Sequence, residues 1–146
     1  VLLGGRAAEH LVFGHLSTGA ADDLSRATDI ARSMVTRYGM VEELGHAALE
    51  SDAPKLLGPS VGLPPARSYA EATAARVDHA ISELVGNAFR RARSLLANNR
   101  AVLEQGSRKL LDDETLEQHD LAALFAELEP ETTRGLDRQP PSRRAA

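Results

Sequence analysis

Apolar residues recur every three or four positions along most of this chain, the rhythm of α-helices that bury one face. Residues 7–13 form a short apolar–polar segment, which Gly14 and the Ser17-Thr18-Gly19 cluster interrupt. Over 21–38, Leu24, Ala27, Ala31, Met34, Val35 and Tyr38 make one stripe, while Arg26, Asp29, Arg32 and Arg37 lie away from it. Gly39 stands where a helix of that length would end. Ser68 and Glu71 have capping-box spacing and open the longest predicted helix, 69–98. Its stripe runs through Ala70, Ala74, Val77, Ile81, Leu84, Ala88, Ala92 and Leu95, and its length would be roughly 45 Å at 1.5 Å per residue. Two shorter helices are predicted at 100–111 and 120–128.

Between these elements the pattern changes in kind. Gly45, Pro54, Gly58, Pro59, Gly62, Pro64 and Pro65 exclude a continuous helix over 40–66 and leave a long Pro/Gly-rich loop. Residues 45–50 have room for one short strand at most. From Pro130 onward no periodicity remains, as expected of a frayed tail. The predicted fold class is therefore all-α: a helical bundle with one long helix, the long loop and a disordered C-terminal tail. A structured portion is expected over 1–128 and the tail over 129–146.

Composition narrows the function classes. The chain has 146 residues, 42% of them apolar and 26% charged, enough to bury a core. Aromatics make up only 3%, so Leu, Val, Ile and Ala must fill the interior, which suits close helix packing. A net charge of −4 argues against a nucleic-acid partner. The absence of cysteine excludes disulfides, thiolate-bound metals and a thiol nucleophile, leaving His and carboxylates as the metal ligands available. The opening Val1-Leu2-Leu3-Gly4-Gly5 has no signal-peptide features and reads as the inside of an element, so a piece of a longer protein is expected.

The densest polar signal is Ser17-Thr18-Gly19-Ala20-Ala21-Asp22-Asp23-Leu24, at the entry to the second predicted helix. Ser, Thr and Asp also gather at helix starts for local reasons, because they accept hydrogen bonds from orphan N–H groups and suit the positive end of the dipole. The cluster alone therefore leaves both readings open. His10 and His15 lie about 140° apart on a helix and cannot grip one metal as an i, i+4 pair can. No H-E-x-x-H, nucleophile elbow or phosphate-binding loop occurs, and His46, His79 and His119 stand alone. Arg90, Arg91, Arg93 and Arg100 form one basic cluster, best read as a solvated helix face.

Taken together, these segments resemble the C-terminal part of the peptidase domain of FtsH-type ATP-dependent zinc metalloproteases. The similarity rests on Leu3-Gly4-Gly5-Arg6-Ala7-Ala8-Glu9, on Ser17-Thr18-Gly19-Ala20 with Asp23-Leu24, and on Ala27-Thr28, Ala31-Arg32, Met34-Val35-Thr36 and Tyr38-Gly39-Met40. The resemblance implies a zinc endopeptidase in which two His of an H-E-x-x-H helix and one Asp bind the metal. The Glu of that motif serves as general base, and zinc-bound water attacks the scissile bond. Carried onto this sequence, Asp23 is the third zinc ligand. Glu9 is the runner-up carboxylate, able to orient a ligand His from outside the ligand set. The His ligands and the base would lie upstream of Val1, so the chain alone is expected to be inactive.

The same resemblance implies a homo-hexamer, unfolded protein substrates and ATP bound only in a separate ATPase module. It also implies a place on the cytoplasmic face of a bacterial inner membrane, with membrane contact only through N-terminal segments. An alternative from a different class is a catalytically inactive helical module that serves assembly.

Overall fold

A computed structural model describes residues 1–50 and 69–129 of the chain. Over those residues it contains five α-helices and one short 3-10 turn: α1 (Gly4–Phe13), α2 (Ala21–Thr36), the turn (Glu42–Leu44), α3 (Glu71–Asn98), α4 (Arg100–Asp113) and α5 (Gln118–Ala126). The all-α class holds, and no strand forms among the described residues. The Ser68 cap, residues 51–66 of the loop and residues 130–146 of the tail lie outside the described residues. Two compact units divide the chain, Val1–Leu96 and a second beginning at Ala97.

The core of the first unit is built from small side chains. Ala31 and Val35 of α2 meet Val77, Ala80 and Ile81 of α3, and Val41, Leu44, Leu49, Tyr69, Leu84 and Val85 pack around them. Val35 and Val77 are each 1% exposed, so no water reaches the centre of this contact. Alanines bring the two helices close, so every methyl group counts. On α1, Ala7 is fully buried, and His10 meets the Phe89 ring edge-on at 6.0 Å.

The predicted stripes hold at most positions and fail at three. Ala70 and Ala88 are exposed, and Tyr38 is 64% exposed rather than buried. The cause of the Tyr38 difference is that α2 ends at Thr36, two residues early. The Tyr38 N–H bonds back to the Ser33 carbonyl, and Gly39 turns the chain with φ +58. Thr36, absent from the predicted stripe, is fully buried instead. Its carbonyl accepts the N–H groups of Leu49 (2.7 Å) and Glu50 (3.0 Å). Its hydroxyl lies 2.9 Å from the Arg32 carbonyl and 3.0 Å from Glu50 Oε2, one proton shared between two acceptors. This anchoring of 49–50 to the end of α2 satisfies an orphan carbonyl of the helix terminus. It also replaces the short strand that 45–50 had room for.

In the second unit, Glu114 takes the left-handed conformation (φ 61) and ends α4 two residues later than expected. A capping box of Glu117 and Asp120 opens α5, with the Glu117 N–H donating to Asp120 Oδ2 at 3.0 Å. Lys109 Nζ ties α4 to α5, lying 3.0 Å from Asp113 and 3.2 Å from Asp120. These bonds hold the Lys109 ammonium above its ordinary pKa and, led by the Glu117 N–H, the Asp120 carboxyl below its own. The Leu124 side chain lies where a Cβ on Gly106 would meet it at 3.2 Å, so α4 and α5 approach closely there. Glu129 is held by its backbone, the N–H donating to Asn99 Oδ1 at 2.7 Å.

Candidate functional site

The Ser17–Leu24 cluster folds as a connection from α1 to α2 whose every turn has a local cause. Gly14, with φ +70, ends α1, its N–H closing on the His10 carbonyl at 3.2 Å. Six residues then reverse the chain. Glu9 on α1 reaches across this reversal and takes two hydrogen bonds from one residue: Ser17 N–H to Oε2 at 3.2 Å, and Ser17 Oγ–H to Oε1 at 2.7 Å. Ser17 Oγ in turn accepts the Gly19 N–H at 3.1 Å. A turn closed by the Ala21 N–H on the Thr18 carbonyl (3.1 Å) leads into α2. At Gly19 a Cβ would sit 3.3 Å from Ser17 Oγ and 3.8 Å from Glu9 Oε1, so a side chain there would press on the bonded pair.

Asp22 and Asp23 occupy the first turn of α2, where their charge suits the dipole. They differ in exposure: Asp22 is exposed, whereas Asp23 is half-buried beside half-buried Leu24. Among the described residues, no hydrogen bond or ion pair engages the Asp23 carboxylate, whose lone pairs remain available to a ligand. A hard carboxylate oxygen on a fixed helix start fits a zinc centre as one contributed ligand. The His side chains do not join it: His10 lies against Phe89, His15 stacks on Phe13, and His79 lies 3.9 Å from Glu83. No three His, Asp or Glu side chains converge as a metal site among the described residues. Arg90, at the basic end of α3, hydrogen-bonds Asn87 on its own helix.

The Ser17 hydroxyl, and after it the Ser17 N–H, hold the Glu9 carboxyl below the ordinary value for glutamate, with small contributions from His15 and Arg6. A lowered folded pKa means that the bonds favour folding at neutral pH and that this contribution is lost as pH falls through the lowered value. We expect the Ser17 and Gly19 amide resonances to titrate together with a midpoint below that of a free glutamate, and Glu9→Gln to abolish the step. A midpoint at or above the ordinary glutamate value would contradict this geometry. The family resemblance offers Glu9 as a carboxylate able to orient a ligand His and does not pair it with Ser17. The signal available for that pairing is a Ser-x-Gly turn shortly after a helix-ending glycine.

The described residues thus form an all-α scaffold with a half-buried carboxylate, Asp23, in the first turn of α2. The chain belongs to peptidase family M41, whose model matches residues 1–124. It corresponds to the C-terminal part of the peptidase domain of FtsH-type ATP-dependent zinc metalloproteases. It is 51% identical to the ATP-dependent zinc metalloprotease FtsH of Pseudomonas putida, over 85% of this chain and 20% of that protein. It is 52% identical to the protein of the same name from Methylibium petroleiphilum, over 88% and 21%. With FtsH 2 of Bdellovibrio bacteriovorus it shares 43% identity, over 88% and 21%. The chain thus spans about a fifth of the length of the curated relatives it matches.

Proposed function

We propose that this chain supplies the carboxylate arm of the zinc centre of an ATP-dependent metalloendopeptidase, with Asp23 as the third protein ligand. The observation that carries the reading is the half-buried Asp23 carboxylate, unengaged and held at the start of α2, in a chain that matches family M41 over 1–124. Zinc at such a centre supplies Lewis acidity, making a nucleophile of water near neutral pH and polarising the scissile carbonyl. Asp23 would hold the zinc through a carboxylate oxygen, and the two His of an H-E-x-x-H helix would complete the protein ligands from another part of the protease. Glu9 keeps lone pairs beyond those used by Ser17, and these suit an N–H of a ligand His.

The parent protease would be a membrane-anchored homo-hexamer at the cytoplasmic face of a bacterial inner membrane, acting on unfolded or membrane proteins. ATP would bind only in its separate ATPase module. Among the described residues, no helix is long and apolar enough to cross a membrane. An open apolar trough lined by Leu2, Ile30, Met34, Ala88 and Ala92 supports further packing of the domain against α2 and α3.

The reading is tested in a chimera in which residues 1–124 replace the matching stretch of the Pseudomonas putida protease. We expect the chimera to bind one zinc per subunit and hydrolyse casein in the presence of ATP, and the 146-residue chain by itself to show no hydrolysis above background. A chimera that folds and assembles but binds no zinc would favour an assembly module without chemistry. Casein hydrolysis by the pure chain would place the whole centre within it and contradict the split site.

A further inference from the structure

We propose that the outer face of α5 is the seat of the chain's own C-terminal segment, residues 130–146, held by apolar contact with Phe125 and by arginines set against an acidic surround. The proposal involves no metal and does not depend on the assignment of Asp23.

α5 has two apolar sides and uses only one of them. Leu124 is buried, and its side chain meets Gly106 of α4. Leu121 and Phe125 lie about 60° and 100° round the helix from it. Both are exposed, Phe125 at 64%, and exposed Leu128 follows just past the helix end. Single exposed apolar residues are ordinary, whereas three along one side form a stripe that favours a cover.

The charge around this stripe has one sign. Residues 110–129 carry seven acidic side chains and no Lys or Arg. Lys109, which borders them, is committed to Asp113 and Asp120. Among the described residues, no ion pair engages the carboxylate of Glu127 or Glu129. The sequence that follows is the complement. Arg134, Arg138, Arg143 and Arg144 stand there against two acidic residues, with Leu136 and two prolines among them. Opposite charge of this kind draws the two segments together and sets their register.

Length and tethering select this occupant. The Glu129 N–H donates to Asn99 Oδ1 at 2.7 Å, which fixes the point of departure one residue past Leu128. α5 has 9 residues and is roughly 14 Å long. The stretch from Pro130 to Leu136 reaches roughly 20 Å when extended, enough to bring Leu136 back to Phe125 or Leu121. A separate protein is a poorer occupant, because a stable interface buries about 800 Å² on each side and this stripe offers a small part of that. A tethered segment has an effective concentration on the order of mM, so a contact too weak for a free partner suffices to hold it.

The test uses the full 146-residue chain, which has no cysteine, so that Ser142→Cys carries a nitroxide as the single thiol label. We expect the label to erase the Leu121 and Phe125 amide resonances, which return when the nitroxide is reduced. Replacing Arg138, Arg143 and Arg144 together by Glu should restore the Leu121 resonance without reduction. Phe125→Ser should restore it too, with the helical circular dichroism unchanged, because Phe125 is exposed. Salt at 1 M, where the Debye length is about 3 Å, should weaken the effect. A segment that only samples its surroundings would broaden α5 equally in the parent and in both variants, and that result would overturn the seat. So would a label that leaves Leu121 and Phe125 sharp. In a mixture of nitroxide-bearing chain and isotope-labelled chain without the thiol, the α5 resonances should stay sharp. Broadening seen only in that mixture would move the occupant to a second copy and overturn seating within one chain.

Discussion

Asp23→Ala in the chimeric protease is expected to abolish stoichiometric zinc and to lower kcat/KM by more than about 100-fold, since loss of groups merely supporting a metal ligand already costs 10–100-fold. The helical scaffold should barely notice the change. Asp23 makes no hydrogen bond or ion pair among the described residues, and its stabilising part is the favourable charge in the first turn of α2. That contribution is about 0.3–1 kcal/mol for an exposed or partly exposed carboxylate. Asp22 offers an internal control, because it shares the same turn and dipole but is exposed. Asp22→Ala should therefore match Asp23→Ala in stability and the parent in zinc content. Metal analysis and casein kinetics on the two variants check this, and equal zinc loss in both would reduce the turn to a general acidic patch.

The second large effect concerns the α2–α3 contact. Val77 is 1% exposed and sits among Ala31, Val35, Ala80 and Ile81, short alanines and stiff β-branched side chains that fill a gap poorly. Val77→Ala should cost about 2 kcal/mol, two methyl groups' worth of burial plus the cavity they leave. Val77→Asp places an unpaired carboxylate in the same spot, with no donor there to receive it, and the cost rises to several kcal/mol. Against a total domain stability of about 5–15 kcal/mol, this is enough to unfold the first unit. Chemical denaturation of the 146-residue chain followed by circular dichroism, with amide exchange at Val35 and Ile81, reads the result. Slow exchange at those amides in Val77→Asp would contradict the packing described.

The helices are legible in the sequence because each carries its own period, and the α2–α3 seam follows from the stripes that meet there. The boundaries are less so. α1 begins at Gly4, ahead of residue 7, because a helix start tolerates glycine while Leu3 and Ala7 are buried. α5 begins earlier than predicted because Glu117 caps it, a residue type that seldom signals a cap. Thr36 escapes the stripe for a related reason: its burial depends on Glu50 folding back, a contact between residues 14 apart that no local pattern encodes.

The candidate site divides in the same way. The helix start bearing Asp23 is visible as a run of cap-forming residues, and the resemblance to the FtsH family singles out the second aspartate. The bond between Glu9 and Ser17 is not visible, since it exists only once the glycine-bounded reversal has brought α1 beside the connection.

A crystal structure of the chimera with data collected at the zinc absorption edge tests the central claim most directly. We expect an anomalous peak about 2.0–2.2 Å from an Asp23 carboxylate oxygen, with two His nitrogens completing the protein ligands. A peak bound instead by Glu9 or Asp22, with Asp23 turned away, would contradict it.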